Sequence, residues 1–421
     1  MLSLASIPLL SLLFADVHLA NAADSTSKAP QPYKINVDPA FIEETRRKVA
    51  NFRPSVELSG PAWAEGPPLE DITNIAKYWK ESYNWSAVES KINSEFSQYT
   101  ISLPPPGGNY DLPLEDIYFI HQRSNRSDAI PLLMLHGWPS TSHEWAAVIP
   151  ELVNPANSSQ PAFHVIAPDF PGFGFSKPAR KAGLGPAEYG TLFSGLMRQL
   201  GYDEYAVYST DLGYVIAQSM VVEYETKIIN HITDFYLVIP SETDTARYNA
   251  NQTTFEETAY ISSMNAFFAD HAGYSAIHST LPLSIAYALN DSPLGFLAWM
   301  YQLFFTVNDS LSQPTPSDII TQALLLYIPG VYGNIRSYVE LYSLENFAAK
   351  RKSSVPTSVL QHGSLLAYAE LANFNYPREW VERNANVTFF ARHDRGGHFP
   401  AVTVPDSVVG DIRESFKVLG Y

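Results

Sequence analysis

The chain has 421 residues, 46% of them hydrophobic, enough to bury one large core, and it carries a formal net charge of −16 at neutral pH. Nucleic-acid phosphates and anionic membrane surfaces would repel that charge, so neither is an expected partner. With no cysteine there are no disulfides, thiol nucleophiles, CxxC redox sites or thiolate zinc sites.

Taken from the N-terminus, Met1 to Phe14 is apolar and is followed by Ala20-Asn21-Ala22, a small-X-small cleavage pattern. Residues 1–23 read as a signal peptide, with an uncleaved anchor in the endoplasmic-reticulum membrane as the alternative. Asp16 and His18 leave the apolar run short for a membrane span. Seven Asn-X-Ser/Thr sequons, at Asn84, Asn125, Asn157, Asn251, Asn290, Asn308 and Asn386, favour a secreted glycoprotein. Asp24 to Gln31 is a polar arm. Asp38 before Pro39, with Phe41, Ile42, Thr45 and Val49 along one side, predicts an N-capped helix, and helical patterning continues to about Phe96. Pro104 to Gly108 breaks it, and the alternating run Leu114 to His121 begins a core sheet.

From there to Pro240, strand, turn and helix patterns alternate, as in an α/β fold whose mostly parallel sheet is covered on both faces. Glu242 to about Tyr332 changes to aromatic-rich helices, with a Pro/Ser connection from Ser310 to Asp318, and reads as an inserted lid. Phe267, Phe268, Trp299 and Phe304 in that stretch hint at an apolar ligand. The division is then an N-terminal extension wrapping the core (24–109), a first core segment (110–241), the lid (242–332) and a second core segment (333–421). There is no internal repeat.

The string from Tyr205 to Gly213 is a short apolar run ending in small residues around Asp211. This is the outline of a nucleophile elbow, a strand turning sharply into a helix, with a carboxylate where a serine hydrolase would carry serine. A serine needs a base to become nucleophilic; an aspartate is ionised near neutral pH, attacks an sp³ carbon directly and leaves an ester on the protein. Upstream, an apolar strand runs into His136-Gly137-Trp138-Pro139, the place of the loop that gives one oxyanion-hole N–H. Trp138 would supply it and Leu212 the other, while the Leu212 side chain would bear on substrate fit. Phe163 to Ser176 is a buried strand followed by a Gly/Pro-rich turn. Val387 to Phe399 is a strand feeding a loop with Gly396, Gly397 and His398. His398 reads as a general base; His136, beside the oxyanion loop, reads as architectural.

HGWP, the Asp elbow and GGHF together resemble the epoxide hydrolases of the α/β-hydrolase superfamily, in particular the microsomal-type branch. The resemblance covers nearly all of the mature chain. Tyr33-Lys-Ile-Asn-Val, Tyr78-Trp79, Tyr83-Asn-Trp85, Glu89 and Asn93 are similar to that branch's N-terminal extension, and Gly273-Tyr274 to Pro282 with Ala288 to Gly295 looks like its lid. It implies that Tyr274, and Tyr338 in Gly333-Asn-Ile-Arg-Ser-Tyr338, are paired phenols that protonate an opening epoxide oxygen. It further implies a cis peptide before Pro139 and an acid partner for His398 at Glu370. The departures are Thr210, where the family commonly has Gly, and Leu212, where it commonly has Trp. Thr210 is expected to strain the elbow without abolishing activity.

The acid partner stays open. Glu242, after an expected strand from Phe235 to Ile239, is the rival to Glu370, and Asp394 reads as solvent-facing loop charge. The expected function is hydrolysis of an apolar epoxide with water to a vicinal diol, needing no cofactor and no metal. A haloalkane-dehalogenase-type hydrolase and a non-catalytic ligand-binding relative are the alternatives. The oligomeric state is open, a homodimer included.

Overall fold

The computed structural model describes residues 29–348, 351–363, 368–371 and 375–421, so the segment read as a signal peptide lies outside the described residues. Among the described residues there are nine strands: β1 (Gln31–Tyr33), β2 (Gln98–Leu103), β3 (Leu114–Gln122), β4 (Ile130–Leu135), β5 (Phe163–Pro168), β6 (Tyr205–Ser209), β7 (Ile228–Thr233), β8 (Pro356–His362) and β9 (Asn386–His393). They form one sheet in the order β1-β2-β3-β5-β4-β6-β7-β8-β9. The pairings β1–β2, β2–β3 and β3–β5 are antiparallel, and every later pairing is parallel. Leu132 to Leu135 of β4 and Tyr205 to Tyr208 of β6 are buried without alternation. Central strands covered on both faces have that pattern. The strand order reverses around β4, so β5 lies on one side of it and β6 on the other. A crevice opens beyond the strand ends at such a reversal, and the site lies there.

The N-terminal extension is tied down by the residues that marked it in the sequence. Asp38 caps the helix Pro39–Ala50 by accepting from the Ala40 N–H at 2.9 Å. On the helix Trp85–Glu95, Glu89 accepts from the Val37 N–H at 2.9 Å and from the Trp85 indole at 3.0 Å. Asn93 accepts from the Ile35 N–H at 2.9 Å and donates to the Ile35 carbonyl at 2.8 Å. The extension also gives β1 and β2 to the sheet, which therefore begins before Leu114, where the sequence pattern put its start. β2 was hidden because its six residues directly follow a helix with no turn signal between them.

Two other expectations are corrected. The apolar run from Phe235 to Ile239 is not a strand; the strand is β7, which stops at Thr233, and the run after it is irregular. The helical insertion continues past 332 through Val331–Arg336, Tyr338–Leu341 and Leu344–Phe347 before β8 starts at Pro356. Short helices of four to six residues give too little periodicity to extend the pattern.

Among the described residues no helix is long and apolar enough to cross a membrane. Six of the seven sequon asparagines are exposed. Asn308 is the exception: it is 2% exposed, and its side-chain amide donates to the Ser312 carbonyl at 3.2 Å, so it has no room for a glycan.

Candidate active site

β6 delivers Asp211 to the first position of the helix Asp211–Glu223. Its φ is +46°, the left-handed region, which costs an L-residue about 1–2 kcal/mol. The strain expected of Thr210 thus sits on the nucleophile itself; Thr210 is extended at φ −136°. So sharp a turn needs close backbone approach. A Cβ at Gly213 would stand 2.2 Å from the Leu135 carbonyl oxygen, and one at Gly137 would stand 2.2 Å from Asp211 Oδ1. Those contacts are why both positions lack a side chain.

The loop after β4 closes on the carboxylate. The Trp138 backbone N–H donates to Asp211 Oδ1 at 2.9 Å, and the Trp138–Pro139 peptide is cis, as the resemblance implied. Leu212 lies in the first helical turn, where a backbone N–H has no intrahelical acceptor. Its side chain is buried in the core and does not line the cavity, contrary to the expected part in substrate fit. His136 is structural: its Nε2 accepts from the Phe170 N–H at 3.2 Å and its ring stacks on Phe170. Burial lowers its pKa to about 4, so the ring is neutral.

Tyr274 and Tyr338 come together from separate helices, with ring centroids 5.9 Å apart and planes near perpendicular. The Trp138 indole lies flat against Tyr274 at 5.5 Å and meets Tyr338 edge-on at 6.0 Å. Burial raises both phenols well above the usual tyrosine range, and the Asp211 charge adds to it, while the hydrogen bond from Tyr338 pulls Tyr274 back. Both therefore keep their protons through neutral pH. The Tyr338 hydroxyl is buried, with the Tyr274 hydroxyl as its polar neighbour.

His398 arrives on the loop after β9. Gly396 (φ +126°) and Gly397 (φ +65°) precede it, and a Cβ at Gly397 would stand 2.6 Å from the Asp309 nitrogen. The His398 N–H donates to the Val307 carbonyl at 3.0 Å, which fixes the loop under the lid. Its Nε2 lies 3.6 Å from Asp211 Oδ2, and its ring stands edge-on to Phe235 at 5.5 Å. Glu370 is not brought to it. That carboxylate is 48% exposed and meets His271 Nε2 at 3.3 Å. The short turn Ala369–Leu371 is held to the lid through the Ser263 hydroxyl, which donates to the Glu370 carbonyl at 2.8 Å. Glu242 is exposed on the first turn of the helix Glu242–Asn249, and Asp394 is exposed as expected.

Asp211, His398 and Tyr274 line one cavity of about 140 Å³ whose walls are mostly aromatic and aliphatic. Phe267 and Phe268 belong to those walls. Trp299 and Phe304 do not: the Trp299 indole donates to His278, and Phe304 stacks on Phe399.

With this geometry in place, the likeness to known proteins is specific. Residues 30–145 match the family model for the epoxide hydrolase N terminus, and residues 130–252 match the one for the alpha/beta hydrolase fold. A protein of Stigmatella aurantiaca named as an epoxide hydrolase is 28% identical over 397 residues, covering 92% of this chain and 85% of that one. The chain belongs to the epoxide hydrolase family. Two solved epoxide hydrolases share the fold at a TM-score of 0.75. The juvenile hormone epoxide hydrolase of the silkworm Bombyx mori is 24% identical, with 92% of this chain and 93% of that one covered. The Aspergillus niger enzyme is 22% identical, with 93% and 97% covered.

Three residues around the site were not singled out by sequence reasoning. Asn334 accepts from the Trp138 indole at 3.0 Å and donates to the Leu326 carbonyl at 2.9 Å, tying the oxyanion loop to the lid. His278 packs edge-on against both Trp138 and Tyr338, and burial lowers its pKa to about 3, so it is a neutral wall behind the phenols. Asp234 lines the cavity with Asp211 and His398. For Asp234 a signal existed, since it is the first acidic residue after the strand that follows the elbow.

Proposed function

We propose that the chain hydrolyses an apolar epoxide to a vicinal diol through an ester on Asp211. The observation that carries this reading is the division of labour at one carboxylate. Oδ1 is held by the Trp138 N–H, while Oδ2 faces the cavity side at which His398 stands. Oδ2 is thus the attacking atom. It displaces the ring oxygen from one epoxide carbon, and the C–O bond that breaks leaves its electron pair on that oxygen. Tyr274 and Tyr338 hydrogen-bond the oxygen and protonate it, and their raised pKa keeps the proton available.

Oδ1 then becomes the ester carbonyl oxygen, already on an oxyanion donor. His398 removes a proton from water, and the water oxygen adds to the Asp211 carbonyl carbon. Negative charge collects on Oδ1 against the N–H groups of Trp138 and Leu212; losing one such donor typically costs about 10²–10³ in rate. Collapse expels the diol alkoxide, which takes the proton from His398, and the proton left on the regenerated Asp211 carboxyl passes back to the tyrosinate formed on ring opening. The aromatic walls support an apolar substrate. The cleavage pattern at Ala20-Asn21-Ala22 and the six exposed sequons support secretion as a glycoprotein.

A single turnover of racemic styrene oxide in heavy-oxygen water tests the ester route. The label is expected in the Asp211 carboxylate and not in the diol. Label in the diol after the first turnover means direct attack by water and removes the reading.

A further inference from the structure

We propose that Asp234, rather than Glu370, is the positioning carboxylate that balances the charge of His398 during ester hydrolysis. This rests on the two-step reading above. Once Asp211 is esterified its charge is gone, yet His398 becomes a cation on taking a proton from water. Some other anion must stabilise that cation, and its strength depends on where it sits.

Glu370 is badly placed. It is half exposed, so water screens it, and its carboxylate already meets His271. Asp234 is enclosed. β7 runs parallel to β6 with Ser209 opposite Thr233, so the next residue, Asp234, sits alongside Thr210, one residue before the nucleophile. Its Oδ2 accepts from the Tyr208 hydroxyl at 2.7 Å. Its Oδ1 is buried, with the Thr210 hydroxyl as its polar neighbour. Phe235, the next residue, packs edge-on against the His398 ring, which fixes the distance between β7's end and the imidazole. Among the described residues, Asp211 is the one carboxylate in an ion pair with His398, so Asp234 acts through space across a low-dielectric cavity. Burial raises the Asp234 pKa to about 6, and hydroxyl hydrogen bonding and the His398 charge pull it back. A cation forming at His398 favours the ionised form further. The chain order of nucleophile, acid and late histidine is also kept.

The test is rapid-quench mass spectrometry of the protein with styrene oxide, comparing wild type, His398→Gln, Asp234→Asn and Glu370→Gln. Asn preserves the acceptor for Tyr208, so the cavity keeps its shape. Asp234→Asn is expected to form the ester within about threefold of the wild-type rate and to hydrolyse it about 10²-fold or more slowly, so that ester accumulates. Glu370→Gln is expected to hydrolyse its ester as fast as wild type. Equal slowing of both steps in Asp234→Asn would show a merely structural role and overturn the proposal. Ester accumulation in Glu370→Gln overturns it too, even if Asp234→Asn does not fold. His398→Gln separates the two levels. No ester in that variant condemns the Asp211 route itself, whereas ester there with none in Asp234→Asn condemns only the assignment of Asp234.

Discussion

His398 Nε2 stands 3.6 Å from Asp211 Oδ2, close enough to restrain the carboxylate but too far for a hydrogen bond. That gap is the useful feature. The imidazole leaves Oδ2 free to attack carbon, and a water entering after alkylation lies between the base and the ester. His398→Gln is expected to keep ester formation and to lose steady-state turnover by about 10²–10⁴-fold. Intact-protein mass after substrate exposure should rise by the mass of one substrate; an unchanged mass would count against the ester on Asp211.

Removing the Tyr338 hydroxyl separates stability from activity. It is buried beside the Tyr274 hydroxyl, a neutral contact whose loss is small, so Tyr338→Phe should shift stability by no more than about 1 kcal/mol. Ring opening should slow by about 10²-fold, and Tyr274→Phe should behave likewise. Since both phenols titrate above the ordinary range, ring opening should not fall between about pH 7 and 9 through their ionisation. Stopped-flow single turnovers and thermal melts report the two effects.

The two glycines at the elbow should fail differently. At Gly213 an added methyl meets the backbone of Leu135, which cannot yield, so Gly213→Ala should reduce folded yield. At Gly137 the methyl meets the Asp211 side chain, so Gly137→Ala should fold and lose activity by more than about 10²-fold. Circular dichroism beside ester formation distinguishes them; a Gly137→Ala protein with wild-type rates would contradict the account of the oxyanion loop.

Acid sensitivity has an identifiable contributor. Glu257 takes a bidentate pair from Arg247, at 2.8 Å on each oxygen, and also the Trp380 indole at 3.1 Å. The Arg247 hydrogen bonds, against burial, hold its pKa down to about 2, below the ordinary 4.5. Its folded pKa is depressed, so its stabilisation is present above 4.5 and fades as pH falls toward 2. Glu257→Gln should therefore melt below wild type at pH 6, with the difference shrinking between about pH 5 and 3. A difference constant with pH would mean packing rather than charge.

Buried Asn308 gives a test of the secretory reading. Expression through a eukaryotic secretory pathway should add glycans at some of the other six sequons, and Asn308→Gln should leave the glycosylated mass pattern unchanged. Loss of a glycan in that variant would show that the segment is modified before it packs.

Much of the site could be read from residues alone because its constraints are local. An aspartate between small residues after an apolar run, and a histidine after two glycines, each need a particular backbone within a few positions, and β6 and β9 supply it. Asp38 was legible for the same reason, since a cap acts on nearby backbone, whereas Glu89 and Asn93, which hold backbone more than 50 residues away, were marked only by the family resemblance. The lid boundary and β2 were less so. Helices of four residues and strands that abut helices give the pattern too little length to register.

What the residues by themselves pointed to was chemistry: an aspartate at a nucleophile elbow, a late histidine and a mostly parallel sheet to carry them, with the two tyrosines added by the family resemblance. Which carboxylate serves His398 was open between Glu370 and Glu242, which lie far apart in sequence and each follow a plausible element, and Asp234 was not among the candidates. The folded chain decided their surroundings. It draws Glu370 to His271 at the surface, leaves Glu242 in solvent and sets Asp234 beside the nucleophile in the cavity. The physical reason is that the strength of a charge depends on the medium around it, and no string of letters specifies that medium until distant segments have packed.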